Sequence, residues 1–289
     1  MFTGTFTAIV TPFNRDGSVD YRCFHALIER QIAGGVDGVV PVGTTGESPT
    51  LSTEEHIAVI RAAVESSAGR VKVIAGTGAN STAEAIELTQ AVMGFGVDGT
   101  LQVTPYYNKP TAEGLYRHFS SIADIGLPVV LYNVPGRTAR EIPVDVVARL
   151  ASHPKVVAIK EAAGDVGRVN QIRMACDLTI LSGDDALNLP MVSVGARGVI
   201  SVASNVVPRE MSDLVKLALA FNYREAQALH DKLLPLLTNL FVEVNPIPVK
   251  AALAMMGLIE EVYRLPLCEM GAANRTKLQA TMHALGLVG

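Results

Sequence analysis

Eight short runs rich in β-branched residues recur along this chain, and a longer segment with helical spacing follows each of them. The runs cover residues 6–12, 37–43, 71–78, 99–107, 128–135, 156–162, 179–185 and 198–204. Each is mostly apolar and lacks a clean two-residue alternation, which is the texture of parallel strands covered on both faces. The intervening segments carry helix signals. In 20–33, Phe24, Leu27, Ile28 and Ile32 fall on one face. Ser52 with Glu55, and Ser81 with Glu84, have the spacing of capping boxes. Three helix exits echo one another, at Gly34, Gly94 and Gly195, where Gly tolerates the left-handed backbone of a helix end. Eight such units without a long linker predict a (β/α)8 TIM barrel. We expect residues 1–223 to form the barrel. Residues 224–289 form a C-terminal helical extension packed on it, with helices over 224–240, 247–258 and 271–285. A doubly wound open sheet is the alternative, but it needs a Gly-rich phosphate loop after the first strand. The chain has Thr11-Pro12-Phe13-Asn14-Arg15-Asp16-Gly17 there.

Composition removes whole classes of function. The 24 Lys and Arg against 28 Asp and Glu leave a net charge of −4, with no basic bias for a phosphate backbone. Trp is absent and aromatics are 5%, so no stacking platform for single strands is evident. Nucleic acid is therefore not an expected partner. Nor is a membrane, because no apolar stretch approaches a spanning length. The amino-terminal run is broken by Pro12, Asn14, Arg15 and Asp16, unlike a signal peptide. Cys23, Cys176 and Cys268 are few, scattered and odd in number, which argues against a disulfide framework and for a reducing cytoplasm.

Familiar motifs fail on context. Gly94-Phe95-Gly96-Val97-Asp98-Gly99 matches GxGxxG but precedes a strand, so it reads as a helix exit and not a dinucleotide loop. No histidine pairs with Cys or acid at metal-ligand spacing, so no metal site is expected.

In a TIM barrel the chemistry sits at the carboxyl ends of the strands. There the second strand offers Gly43-Thr44-Thr45-Gly46-Glu47, the fourth Tyr106 and Tyr107, and the fifth Tyr132 to Thr138 with Arg137. The sixth carries Lys160, and the seventh ends in Ser182-Gly183-Asp184-Asp185. Lys160 follows an apolar run and should emerge in a low-dielectric mouth. Burial disfavours an ammonium and so favours the neutral amine that attacks carbonyls. The competing reading pairs Lys160 with Glu161 or Asp184, or points it outward among the helices. Tyr132, one strand away, can pass a proton to a forming carbinolamine. Thr44 and Thr45 lie in a Gly-flanked turn whose backbone N–H groups can cradle a carboxylate, unless it is a plain turn. Arg137 offers a planar fork for a second carboxylate, or a salt bridge to Glu141. Tyr106 and Tyr107 belong either to this site or to the core.

These stretches resemble the dihydrodipicolinate synthase / N-acetylneuraminate lyase family. The likeness is carried by GTTGE at 43–47, TPYYNKP at 104–110, YNVPGRT at 132–138, IKEA at 159–162, LSGDD at 181–185 and NPIPVK at 245–250, and it runs from Thr3 to about Pro266. The resemblance implies a class I, Schiff-base, pyruvate-dependent lyase of lysine and diaminopimelate biosynthesis. Lys160 forms an imine with pyruvate, whose enamine attacks L-aspartate 4-semialdehyde. It implies Tyr132, Thr44 and Tyr107 as a proton relay, with Tyr107 supplied by a neighbouring subunit of a homotetramer built as a dimer of dimers. Thr45 then holds the pyruvate carboxylate and Arg137 that of the semialdehyde. Backbone near Gly183 and Ile200 completes the pocket, and no metal or redox cofactor is needed. By the same likeness, L-lysine as an inhibitor would meet Ser48, Leu51, His56, Asn80, Glu84 and Tyr106, although Pro49 and Thr53 depart from the commoner residues there. Two alternatives are a sister lyase or aldolase cleaving a sugar acid, for which Arg137 is not required, and a non-catalytic barrel that senses pyruvate or lysine. Lys250 receives no role.

Overall fold

A computed structural model describes residues 2–289. Eight parallel strands close on themselves in chain order, with the first hydrogen-bonded to both the second and the last. They are β1 (Gly4–Ala8), β2 (Gly38–Val40), β3 (Lys72–Gly76), β4 (Gly99–Val103), β5 (Val129–Asn133), β6 (Val156–Glu161), β7 (Thr179–Ser182) and β8 (Gly198–Ser201). The helices are α1 (Tyr21–Ala33), α2 (Thr53–Ser67), α3 (Thr82–Val92), α4 (Ala112–Ala123), the short α5 (Pro135–Thr138), α6 (Val144–Ala151), α7 (Gly167–Ala175), α8 (Asn188–Ser193), α9 (Pro208–Leu219), α10 (Tyr223–Asn239), α11 (Ile247–Met255) and α12 (Ala272–Ala284). The chain is a TIM barrel, and no described helix is long and apolar enough to cross a membrane.

Every predicted strand is present, but all eight stop short at their carboxyl ends. The apolar run continues there because the mouth loops are themselves buried. Val10, Thr11 and Phe13 are sealed from solvent although β1 ends at Ala8. After β2 the backbone turns at Val42, whose φ of 55° is left-handed for a β-branched residue. At the opposite end Gly4 opens β1 at φ 90°, where a Cβ would lie 2.0 Å from an Asp37 carboxylate oxygen. That carboxylate accepts the Thr5 N–H at 2.8 Å and fixes the entry of the strand.

Caps set the helix starts. Asp20 accepts the Cys23 N–H at 2.9 Å. Ser52 and Glu55 form the complete box, at 3.2 and 3.0 Å. At α3 only half of the expected box exists. Ser81 accepts the Glu84 N–H at 3.5 Å, and no described bond returns from the Glu84 carboxylate. Its charge bears instead on Tyr106, whose phenol is pushed up first by burial and then by Glu84. The helix exits take left-handed glycines at Gly35, Gly96 and Gly195. The first two therefore lie one and two residues beyond the glycines that open those runs. Gly94 to Gly99 joins α3 to β4, as its context predicts. Helix α11 ends at Met255, not 258, because Gly257 turns left-handed at φ 70°.

His118 of α4 ties that helix to α3 through Nδ1 and the Thr82 hydroxyl, 2.9 Å apart. Burial holds its imidazolium pKa down at about 4. The unfolded chain therefore takes up this proton at a higher pH than the folded one. Stability must fall as pH drops from about 6.5 toward 4, by up to about 3 kcal/mol. We expect His118→Asn to flatten the melting-temperature profile in that window. An unchanged slope would contradict this assignment.

Candidate active site

Register brings the reactive groups together. On adjacent strands, Tyr132 of β5 lies directly opposite Lys160 of β6. Both side chains point to the barrel axis, because successive residues of a strand alternate faces and their neighbours Asn133 and Glu161 face the helices. Lys160 is 5% exposed, and its Nζ stands 4.3 Å from the centre of the Tyr132 ring. Among the described residues no carboxylate forms an ion pair with it. Glu161 is occupied elsewhere: its oxygens accept from Asn133 Nδ2 at 2.8 and 3.1 Å, from the Ala163 N–H at 2.9 Å and from Arg168 Nε at 3.0 Å. Asp184 accepts the Ala186 N–H at 3.2 Å, and its carboxyl pKa is raised by burial and by the neighbouring charge of Asp185. The competing pairing of Lys160 with either acid is absent.

A cavity of about 390 Å³ opens over this pair, and Thr44, Thr45, Tyr132, Arg137, Lys160 and Asn245 line its polar walls. Thr45 is buried, and its hydroxyl accepts from Asn245 Nδ2 at 3.0 Å. Arg137 projects from α5 and donates from Nη2 to the Asn245 carbonyl at 3.1 Å. Glu141, the salt-bridge partner weighed for Arg137, is paired with Arg168 instead. Sequence reading assigns Asn245 no role, yet it touches both residues chosen as carboxylate holders. Its only signal was membership of the NPIPVK stretch. An amine, a guanidinium and a buried hydroxyl on a common space suit an anionic carbonyl substrate that must react with an amine.

Gly183 also lines the cavity. A Cβ there would lie 2.8 Å from Lys160 Cε and 2.8 Å from Ala162 Cβ. We expect Gly183→Ala to displace the amine and slow imine formation by about 10²-fold in a folded protein. A rate within twofold of the parent would show that the lysine stem has room to give way.

Other chosen residues fall outside this cavity. Ile200 is buried in β8 and does not line it, and Val202 takes that place. Tyr107 is 91% exposed at φ 71°, lining neither this cavity nor the neighbouring one. A second cavity of about 210 Å³ shares Thr44, Tyr132 and Arg137 with the first and adds Ser48 and Tyr106. Asn80 sits beside it, donating to the Tyr106 carbonyl at 3.2 Å. Leu51, His56 and Glu84 do not line it. His56 is buried with Nε2 2.7 Å from the Gly76 carbonyl, and burial lowers its pKa. Among the described residues, no group of three or more His, Cys, Asp or Glu side chains is arranged to hold a metal ion.

Comparison with known proteins agrees with this geometry. The model of the Dihydrodipicolinate synthetase family matches residues 1–285. A 4-hydroxy-tetrahydrodipicolinate synthase from Thermodesulfovibrio yellowstonii is 50% identical over 291 residues, covering 100% of both chains. Among solved structures, the dihydrodipicolinate synthase of Acinetobacter baumannii complexed with pyruvate is 45% identical. It has a TM-score of 0.98 and 100% coverage of both chains. The enzyme of Cyanidioschyzon merolae with lysine bound is 41% identical, with a TM-score of 0.96 and 99% coverage of both.

Proposed function

The chain belongs to the dihydrodipicolinate synthetase family, and on that premise we propose that its barrel mouth condenses pyruvate with L-aspartate 4-semialdehyde to give 4-hydroxy-tetrahydrodipicolinate. The observation that carries this reading is Lys160. Its buried amine has no acidic partner among the described residues, lies beside a tyrosine, and lines a space bounded by a threonine turn and an arginine.

The chemistry follows from the groups present. The Lys160 amine attacks C2 of pyruvate, whose carboxylate rests on the turn at Thr45. Tyr132, with Thr44 and Tyr107, moves a proton to the carbinolamine oxygen, which leaves as water. The protonated imine draws electrons from C3. Loss of a C3 proton gives an enamine, and this carbon bonds to the aldehyde carbon of the second substrate. The amino group of that substrate then adds at C2 and displaces Lys160, closing the ring and freeing the enzyme. One water is lost overall. Arg137 holds the carboxylate of the semialdehyde, a bidentate pairing that a sugar-acid lyase does not require. Consumption of pyruvate that depends on added semialdehyde is the expected result. Consumption only with a sugar acid would move the reading to a sister lyase.

Residues 224–289 serve this site as an extension of the barrel formed by 1–223. The working form is a homotetramer in which Tyr107, exposed in the single chain, reaches a neighbouring subunit. Free thiols at all three cysteines suit the cytoplasm. L-lysine binds as an inhibitor at Ser48, Leu51, His56, Asn80, Glu84 and Tyr106. The second cavity supports this for Ser48 and Tyr106, which line it, and because it shares Thr44, Tyr132 and Arg137 with the first, an occupant beside Tyr106 adjoins the relay. Millimolar lysine should reduce the rate at saturating pyruvate, and full activity there would contradict the regulatory site.

A further inference from the structure

Among the described residues, Lys250 is the largest fully buried charged side chain, and the mechanism leaves it unused. It lies on α11 and is 0% exposed. Its ammonium contacts Glu47, itself 1% exposed, at 2.5 Å between Nζ and Oε1. The rings of Phe13 and Tyr263 flank it, with centres 4.3 and 5.2 Å from Nζ. The other Glu47 oxygen accepts the Arg264 N–H at 3.4 Å. A buried ion pair is a poor source of net stability, because both ions lose their hydration. Its presence calls for another explanation, and its position supplies one.

Glu47 ends the turn that carries Thr44 and Thr45. That turn is tight and strained. Val42 and Glu47, at its two ends, both adopt φ of 55°. A Cβ on Gly46 would lie 2.9 Å from the Val42 nitrogen. Such backbone persists only where the surroundings fix it. On one side the Thr11 hydroxyl donates to the Gly46 carbonyl at 2.8 Å. On the other side the contacts come from the extension, and two of them from one short stretch of it. Asn245 holds the Thr45 hydroxyl, and Lys250, five residues on, holds the Glu47 carboxylate. Asn245 also accepts from Arg137.

We propose that the Glu47–Lys250 pair is a positioning anchor, locking segment 245–250 to the threonine turn so that the C-terminal extension forms a working part of the substrate-carboxylate cradle. The effect on catalysis rests on the function proposed above, whereas the coupling of the two segments does not. Lys250→Met alone strands a buried carboxylate and threatens the fold. The informative variant is Glu47→Gln combined with Lys250→Met, which removes both charges at similar volume. It should fold, as judged by circular dichroism. Amides of residues 42–50 should exchange hydrogen about tenfold faster than in the parent, and KM for pyruvate should rise about tenfold. Unchanged exchange in the turn overturns the anchor. Faster exchange with an unchanged KM overturns its positioning role and leaves a structural pair. One measurement needs no variant: in the parent, amides of 42–50 and of α11 should open in one event, with matched dependence on denaturant. Separate openings would contradict the coupling. If the parent forms no imine with pyruvate, the functional reading fails, while the exchange data still judge the anchor.

Discussion

Lys160→Ala should leave the barrel folded and lower turnover by at least about 10⁴-fold, since no other described residue lining the cavity carries an amine that can form the covalent intermediate. The fold should survive for a physical reason. Lys160 has no acidic partner among the described residues, so truncation strands no buried charge, unlike the loss of one member of a buried pair. The space left adjoins an existing cavity that water can enter. Binding of pyruvate through the Thr45 turn should persist in the variant, because that contact does not involve the amine. Turnover within about 10²-fold of the parent would mean that chemistry proceeds without an imine at Lys160.

Arg137→Ala is the sharper test of substrate identity. The guanidinium makes a single described hydrogen bond, to the Asn245 carbonyl, and Arg137 lines both cavities. Removing one partner of a charge-assisted pair costs about 2–5 kcal/mol, so kcat/KM for the semialdehyde should fall by about 30- to 5,000-fold. Imine formation with pyruvate alone should stay within about threefold, because that carboxylate is assigned to Thr45. An equal loss in both measurements would remove Arg137 from its role and revive the sugar-acid alternative, for which no arginine fork is required.

The barrel was legible because its strands are buried on both faces, so each reads as an apolar β-branched run between helix caps. Where those runs ended was not legible. At 37–43 the apolar texture runs on into a packed mouth loop, and the left-handed backbone at Val42 marks the exit. Lys160 stood out because a cation closing an apolar run is a conflict that function resolves. Asn245 did not, since an uncharged amide in a connection between helices carries no periodicity and no charge signal. Glu84 shows a third case: its capping spacing predicted a return bond, whereas its charge faces Tyr106 from a different element. Lys250 was visible in the motif, but its partner lies 203 residues away in sequence. Only the closed barrel brings the two together.

The central claim is a covalent one. Borohydride reduction of the protein in the presence of pyruvate, followed by peptide mass mapping, tests it most directly. A single reduced pyruvyl adduct on Lys160, absent without pyruvate, is the predicted result. No adduct, or one on a lysine other than Lys160, would contradict the account.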